Sequence, residues 1–188
     1  MMFRSSLLFG SVFAVALAGC GGPSTTEALG LDPPDTIDVA LDLERYDGLW
    51  FEVARFENTF QEGCTATTAE YTQLDDGQIG VLNRCRLESP SGDLIEANGV
   101  ARAVDLSVGK LEVSFFGPFF SDYWVLELGD AGEGDYFYSV VADPGRDVLW
   151  ILSREPSLPE TTLDGILERL EAQQFDTNQL LWTEHGED

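Results

Sequence analysis

The sequence predicts an all-β fold of eight antiparallel strands with one C-terminal α-helix. Two observations carry the strands: segments rich in β-branched and aromatic residues recur about every ten positions from Leu49 to Arg154, and Gly, Asp, Asn and Pro punctuate them. A third carries the helix, a single apolar stripe at helical spacing after the last strand. This pattern is that of a barrel or a sandwich.

The predicted strands run Leu49–Phe56, Thr65–Leu74, Gln78–Arg86, Leu94–Ala103, Lys110–Phe116, Tyr123–Leu128, Tyr136–Ala142 and Val148–Arg154. Between the second and third, Asp75-Asp76-Gly77 is the clearest hairpin signal, because a two-residue hairpin turn needs positive φ and Asp-Gly supplies it. In the helix, Leu163, Ile166, Leu167 and Leu170 follow the i, i+3, i+4, i+7 spacing of one buried face. Ser157 and Glu160 offer a capping box there, and Pro159 suits a first turn. A short strand, Gln179–Thr183, is expected after the helix, and no internal repeat is evident.

The N-terminus reads as an export signal. Arg4 precedes an apolar run from Leu7 to Leu17, too short for the roughly 20 residues that span a bilayer. The run ends in Leu17-Ala18-Gly19-Cys20, which resembles the lipobox of bacterial lipoproteins. That resemblance implies a signal peptide over 1–19, acylation of Cys20 and a lipid anchor, which is durable because each buried methylene contributes about 0.8 kcal/mol. Gly21 rather than Asp at the second mature position resembles the sorting pattern that directs lipoproteins to the outer membrane, with the periplasmic face expected. Residues 20–38, with Gly21, Gly22, Pro23, Ser24, Pro33 and Pro34, are expected to be a flexible tether, and 39–186 the folded domain.

The formal charge is −24, and loss of Arg4 with the signal peptide makes it one unit more negative; Lys110 is the single lysine. Such a surface repels phosphates, which points away from nucleic acid as a partner. The acidity itself is compatible with salt adaptation, with repulsion on a crowded surface, or with plain solvation. His185, near the end of the chain, is expected to be solvated and supplies neither a triad nor a metal site. No Gly-x-Ser-x-Gly elbow, Cys-x-x-Cys pair or phosphate loop occurs. No catalytic residue, metal or cofactor is assigned.

The segment Tyr46-Asp47-Gly48-Leu49-Trp50-Phe51-Glu52-Val53-Ala54-Arg55-Phe56 resembles the first signature of the lipocalins, a Gly-x-Trp strand entry after a short turn. It is joined in the right order by Lys110-Leu111-Glu112-Val113-Ser114-Phe115-Phe116-Gly117-Pro118-Phe119 and by Asp147-Val148-Leu149-Trp150-Ile151-Leu152-Ser153-Arg154, then Pro156 and the helix. The chain looks like a bacterial lipocalin of the outer-membrane lipoprotein type, related to apolipoprotein D, over residues 39–184. The resemblance implies an eight-stranded antiparallel up-and-down lipocalin barrel with the α-helix packed outside and a small hydrophobic ligand entering at the open end. By the same resemblance, Trp50 and Arg154 stack across the closed end in a structural role.

Alternation then sorts the walls. With Trp50 and Arg154 inward, Glu52, Ala54 and Phe56 on the first strand and Val148, Trp150 and Leu152 on the last also point inward, while Phe51 and Val53 face outward as a floor for the helix. Leu111, Val113 and Phe115, then Phe137, Ser139 and Val141, complete the lining in register with the family, and Tyr71, Val81 and Asn83 add the second and third strands. Phe116, Pro118, Phe119 and Phe120 form an apolar run near the mouth, where ligand entrances, membrane contacts and dimer interfaces occur; a homodimer stays open. Ligand contact is expected from Ala54, Phe56, Tyr71, Val81, Asn83, Val113, Phe115, Phe120, Phe137, Ser139, Val148 and Trp150.

Two thiols remain besides Cys20. A hairpin centred on Asp76 pairs Tyr71 with Val81 and Thr67 with Cys85, so a regular ladder puts Cys64 and Cys85 on opposite faces. A bulge near Gly63 would restore contact, which leaves a disulfide open. The function implied is carriage of a fatty acid or lysophospholipid, with a lipid and the membrane as partners. The competing readings are a structural envelope protein with a self-filled barrel and an acidic surface for another component, or an enzyme acting on a hydrophobic substrate inside the cup.

Overall fold

A computed structural model of the chain describes residues 23–130 and 134–186. The expected signal peptide and Cys20 lie outside the described residues.

Nine strands form one antiparallel sheet: β1 Gly48–Phe56, β2 Cys64–Gln73, β3 Ile79–Leu87, β4 Leu94–Asp105, β5 Lys110–Phe116, β6 Phe119–Gly129, β7 Tyr138–Ala142, β8 Leu149–Ser153 and β9 Leu180–Trp182. Each of β2 to β8 pairs with its sequence neighbour, and β1 pairs with both β2 and β8, so eight strands close on themselves. Closure removes the free edges that an open sheet of this length would expose. β9 pairs with Ala54–Phe56 of β1, beyond the stretch that pairs with β2. Among the described residues three α-helices precede or follow: α1 Thr25–Leu29, α2 Leu43–Tyr46 and α3 Glu160–Ala172.

The inner cluster contains Trp50, Ala69, Tyr71, Ile79, Val81, Ala101, Leu111, Val125, Val141 and Leu152. The outer one joins Val53, Ala54, Phe56, Val140, Ala142, Leu149 and Ile151 to Ile166 and Leu170 of α3. The helix therefore packs outside the barrel on the stripe its spacing predicts. Its capping differs from expectation: Pro159 occupies the N-cap and no side chain caps the end. The capping box that does form is Ser24 with Glu27 at the start of α1.

That box belongs to the largest departure from the sequence reading. Residues 24–37 are not a free tether. Thr26 N donates to Gly145 O at 2.9 Å and Thr25 N to Asp147 Oδ1 at 2.8 Å. The buried Arg146 guanidinium donates to Thr26 Oγ1 and Asp32 O at 2.7 and 2.9 Å. Ile37 N bonds Val125 O, and its buried side chain joins the inner cluster. Backbone and arginine hydrogen bonds hold this strap, which is why it lacks an apolar pattern.

Candidate binding cavity

The barrel has a closed and an open end, fixed by strand direction. β1 starts at the closed end, where α2 crosses and Trp50 is fully buried. The Arg154 guanidinium carbon lies 3.9 Å from the centre of the Trp50 ring. Arg154 donates to four carbonyls, of Tyr136, Leu49, Arg45 and Asp47, at 2.8–3.1 Å. Partial burial lowers its pKa from the usual guanidinium value, with nearby Asp135 and Asp47 opposing that shift.

Above this plug lies a cavity of about 900 Å³. Its floor holds three tyrosines: Tyr123 Oη sits 2.8 Å from both Tyr46 Oη and Tyr71 Oη, and Tyr46 Oη is 3.0 Å from Ser139 Oγ. Burial pushes the Tyr46 phenol up to about 12, against the lowering effect of its hydrogen bonds to Ser139 and Tyr123. It raises Tyr71 and Tyr123 further still. The phenols stay neutral and their hydroxyls satisfy one another. The walls are Ala69, Ile79, Val81, Ala101, Leu111, Val113 and Leu152. Phe115 rests on Gly99, where an added Cβ would come within 2.8 Å of its ring.

At the open end Trp150, Phe60, Val148, Phe116 and Phe119 surround the mouth. Trp150 Nε1 donates to Gln61 Oε1 at 2.9 Å, and Gln61 Nε2 donates to Glu52 Oε2 at 2.7 Å. The buried Glu52 also accepts from Arg55 Nη1 at 2.6 Å and from Thr183 Oγ1 at 2.5 Å. This polar seam sits where β1 and β2 diverge and the C-terminal tail fills the gap. Ala66 N bonds Glu184 O, and His185 Nε2 donates to Glu52 O at 2.8 Å while its ring meets Phe51 edge-on. His185 is thus pinned to the seam rather than solvated, and Phe51 faces the tail rather than the helix.

Among the residues expected to touch ligand, Tyr71, Val81, Asn83, Val113, Phe115, Val148 and Trp150 line the cavity. Five do not. Ala54 and Phe56 face α3, because β1 pairs Glu52 with Leu152 but Ala54 with Ile151; the bulge at Val53 reverses the alternation beyond it. Phe120 points outward beneath Arg102, whose guanidinium carbon is 4.0 Å from its ring centre. It lies one residue out of phase with Ser121, which pairs with Val113 inside. Phe137 precedes β7 and packs edge-on against Tyr138 with centroids 4.9 Å apart, so Tyr136 takes the inward place. Ser139 points inward but is sealed below the cavity against Tyr46.

Sequence reasoning missed Phe60, Gln61 and Thr67 in the lining. Phe60 and Gln61 sit on a single 3-10 turn, Thr59–Gln61, in a connection that strand periodicity cannot place. Thr67 follows Ala66, whose φ of 46° marks the β2 bulge. That bulge shifts the ladder between Thr65 and Thr68, pairs Cys64 with Leu87, and lets Cys64 and Cys85 form a disulfide. Thr67, Asn83 and Ser114 belong to the cavity lining, but Thr67 Oγ1, Asn83 Oδ1 and Ser114 Oγ are themselves buried in the wall, without a hydrogen-bond partner within the protein.

A closed eight-stranded barrel, plugged at one end by a stacked tryptophan and arginine and open at the other into an apolar cavity, defines a lipocalin. A model of the lipocalin-like domain matches residues 41–185, and the chain belongs to the lipocalin family. It is 40% identical over 157 residues to the outer membrane lipoprotein Blc of Vibrio cholerae, covering 82% of this chain and 90% of that protein. Mouse apolipoprotein D is 30% identical, with 84% of each chain covered. Lobster apocrustacyanin A1 shares the fold, with a TM-score of 0.61 over 83% of this chain and 91% of that one at 17% identity. Lipocalins bind small hydrophobic ligands, and the cavity described here has the form for it.

Proposed function

We propose that the chain is a lipid-anchored lipocalin of the outer membrane, facing the periplasm, that carries a fatty acid or lysophospholipid and catalyses no reaction. The observation that carries this reading is the cavity: about 900 Å³, apolar and aromatic in its walls, and open at one end. That volume is within the usual range for small-molecule sites. Its size argues against a barrel filled by its own side chains. Burying an acyl chain contributes about 0.8 kcal/mol per methylene, so micromolar affinity needs no strong polar contact. The outer-membrane location is supported by the Vibrio cholerae relative's name and by the sequence around Cys20. Among the described residues no helix is long and apolar enough to cross a membrane.

Native mass spectrometry of protein purified from envelopes tests the reading. A copurifying single-chain lipid is the expected result. Protein that carries none and shows no binding to several lipid classes by calorimetry would overturn it. Cys20→Ser should release the protein from membranes after a high-salt wash.

A further inference from the structure

We infer that the open end of the barrel lies against the surface of a zwitterionic phospholipid bilayer, so that the cavity opens into the membrane rather than into water. The inference rests on the lipid anchor at Cys20 and goes beyond it, since an anchor alone sets no orientation.

The first observation is where the chain begins. α1 is hydrogen-bonded to the β7–β8 turn through Gly145 and Asp147. That turn belongs to the open end, because β7 runs away from the Trp50–Arg154 plug and Asp143 and Val148 line the mouth. The strap then leads from this rim to the closed end, where Leu41 N bonds Leu106 O. Ser24 is four residues from Cys20. At full extension four residues reach no more than about 14 Å. Acyl chains on Cys20 therefore hold this rim, and not the plugged end, near the bilayer.

A second observation is independent of the anchor. The three most exposed large apolar side chains among the described residues are Phe116 at 83%, Phe119 at 79% and Phe60 at 67%, and all three border the mouth. Leu94 and the cavity-lining Ile95 are exposed at the β4 edge of the same rim. Around the barrel, the β7–β8 turn bearing α1 lies between the β5–β6 turn of Phe116 and Phe119 and the β1–β2 connection of Phe60. Aromatic rings concentrated at one end of a polar molecule match the interfacial layer of a membrane.

Charge selects the lipid. Glu62, Asp93 and Asp122 are exposed at this end and Asp143 is half-buried there. Of the arginines at this end, Arg84 is bound by Glu70 and Glu96, Arg146 is buried, and the half-buried Arg86 donates to Gly92 O, so it is outnumbered by the exposed carboxylates, to which Glu57 and Glu88 also belong. An acidic rim repels anionic headgroups and accepts zwitterionic ones that present an amine.

Hydrogen–deuterium exchange on the acylated protein, purified from membranes and reconstituted into phosphatidylethanolamine–phosphatidylcholine vesicles, tests this. Segments 57–62 and 115–121 should exchange at least tenfold more slowly than before reconstitution, while the closed-end turns 74–78 and 106–109 stay unchanged. The variant carrying Phe60→Ser, Phe116→Ser and Phe119→Ser should float with vesicles yet lose that protection. Raising the fraction of phosphatidylglycerol should weaken it in the wild type. Protection of the closed-end turns, or of neither end, overturns the inference. Protection already present before reconstitution and rising with protein concentration assigns the rim to a second copy and overturns it too. Protein that fails to float overturns the anchor and this inference together. Absence of bound lipid with the rim protected removes the carrier reading alone.

Discussion

The indole nitrogen of Trp150 donates a 2.9 Å hydrogen bond to Gln61 Oε1, tying the last strand of the barrel to the connection that borders its mouth. Phe60 lies beside the same indole, with ring centroids 6.1 Å apart. Trp150 is thus a polar-tethered aromatic wall at the entrance and the natural reporter of occupancy.

Lipid binding should shift or quench tryptophan emission, and Trp150→Phe should remove most of that change without altering the circular dichroism. Trp124 is the internal control, since it lies under Lys110 outside the barrel with the ammonium 3.9 Å from its ring centre. A full emission change in the Trp150→Phe protein would move the ligand away from the mouth.

Arg154→Ala should lower stability by about 2 kcal/mol or more, because it strips the donors from four carbonyls and the cation from Trp50. Lysine should not rescue it, since an ammonium cannot spread over four acceptors as the planar guanidinium does. Denaturant unfolding of Arg154→Ala and Arg154→Lys measures both.

The bond between Cys64 and Cys85 closes a loop with a sequence separation of 21. A loop of that length contributes about 3 kcal/mol through the unfolded chain's entropy. A thiol titration of the unfolded Cys20→Ser protein should find no free thiol, and adding Cys64→Ala with Cys85→Ala should lower the unfolding free energy by about that amount. Two titratable thiols would contradict the bond.

The tyrosine floor makes an alkaline prediction. In the unfolded chain a tyrosine ionises near its ordinary value of 10, whereas in the folded protein Tyr46 holds its proton up to about 12. Below pH 10 both states are neutral there and the stability is complete. Above it the unfolded state releases protons the folded state keeps, so stability falls as pH rises towards 12. Tyr71 and Tyr123, raised in the same direction, add to the slope. Phenolate absorbance should show three tyrosines that ionise only with unfolding, and Tyr46→Phe should make the loss above pH 10 less steep.

The sequence by itself determined the strand count, the C-terminal helix and its buried stripe, and the residues that identify the family at Trp50 and Arg154. Those features are local: strand and helix periodicity are set by the backbone's own geometry. Where the ladder stays regular, as from Tyr71 and Val81 through Asn83, alternation also gave the correct inward face. Only the tertiary structure decided the face of Ala54 and Phe56, the approach of Cys64 to Cys85, and the docking of residues 24–37. The first two depend on bulges at Val53 and Ala66–Thr67, each a mismatch between two strands. A single extra residue then reverses every side chain beyond it. The strap is held by hydrogen bonds that it accepts from Arg146 and donates to the β7–β8 turn, more than a hundred positions away, and backbone hydrogen bonds leave no mark in the composition of the segment they hold.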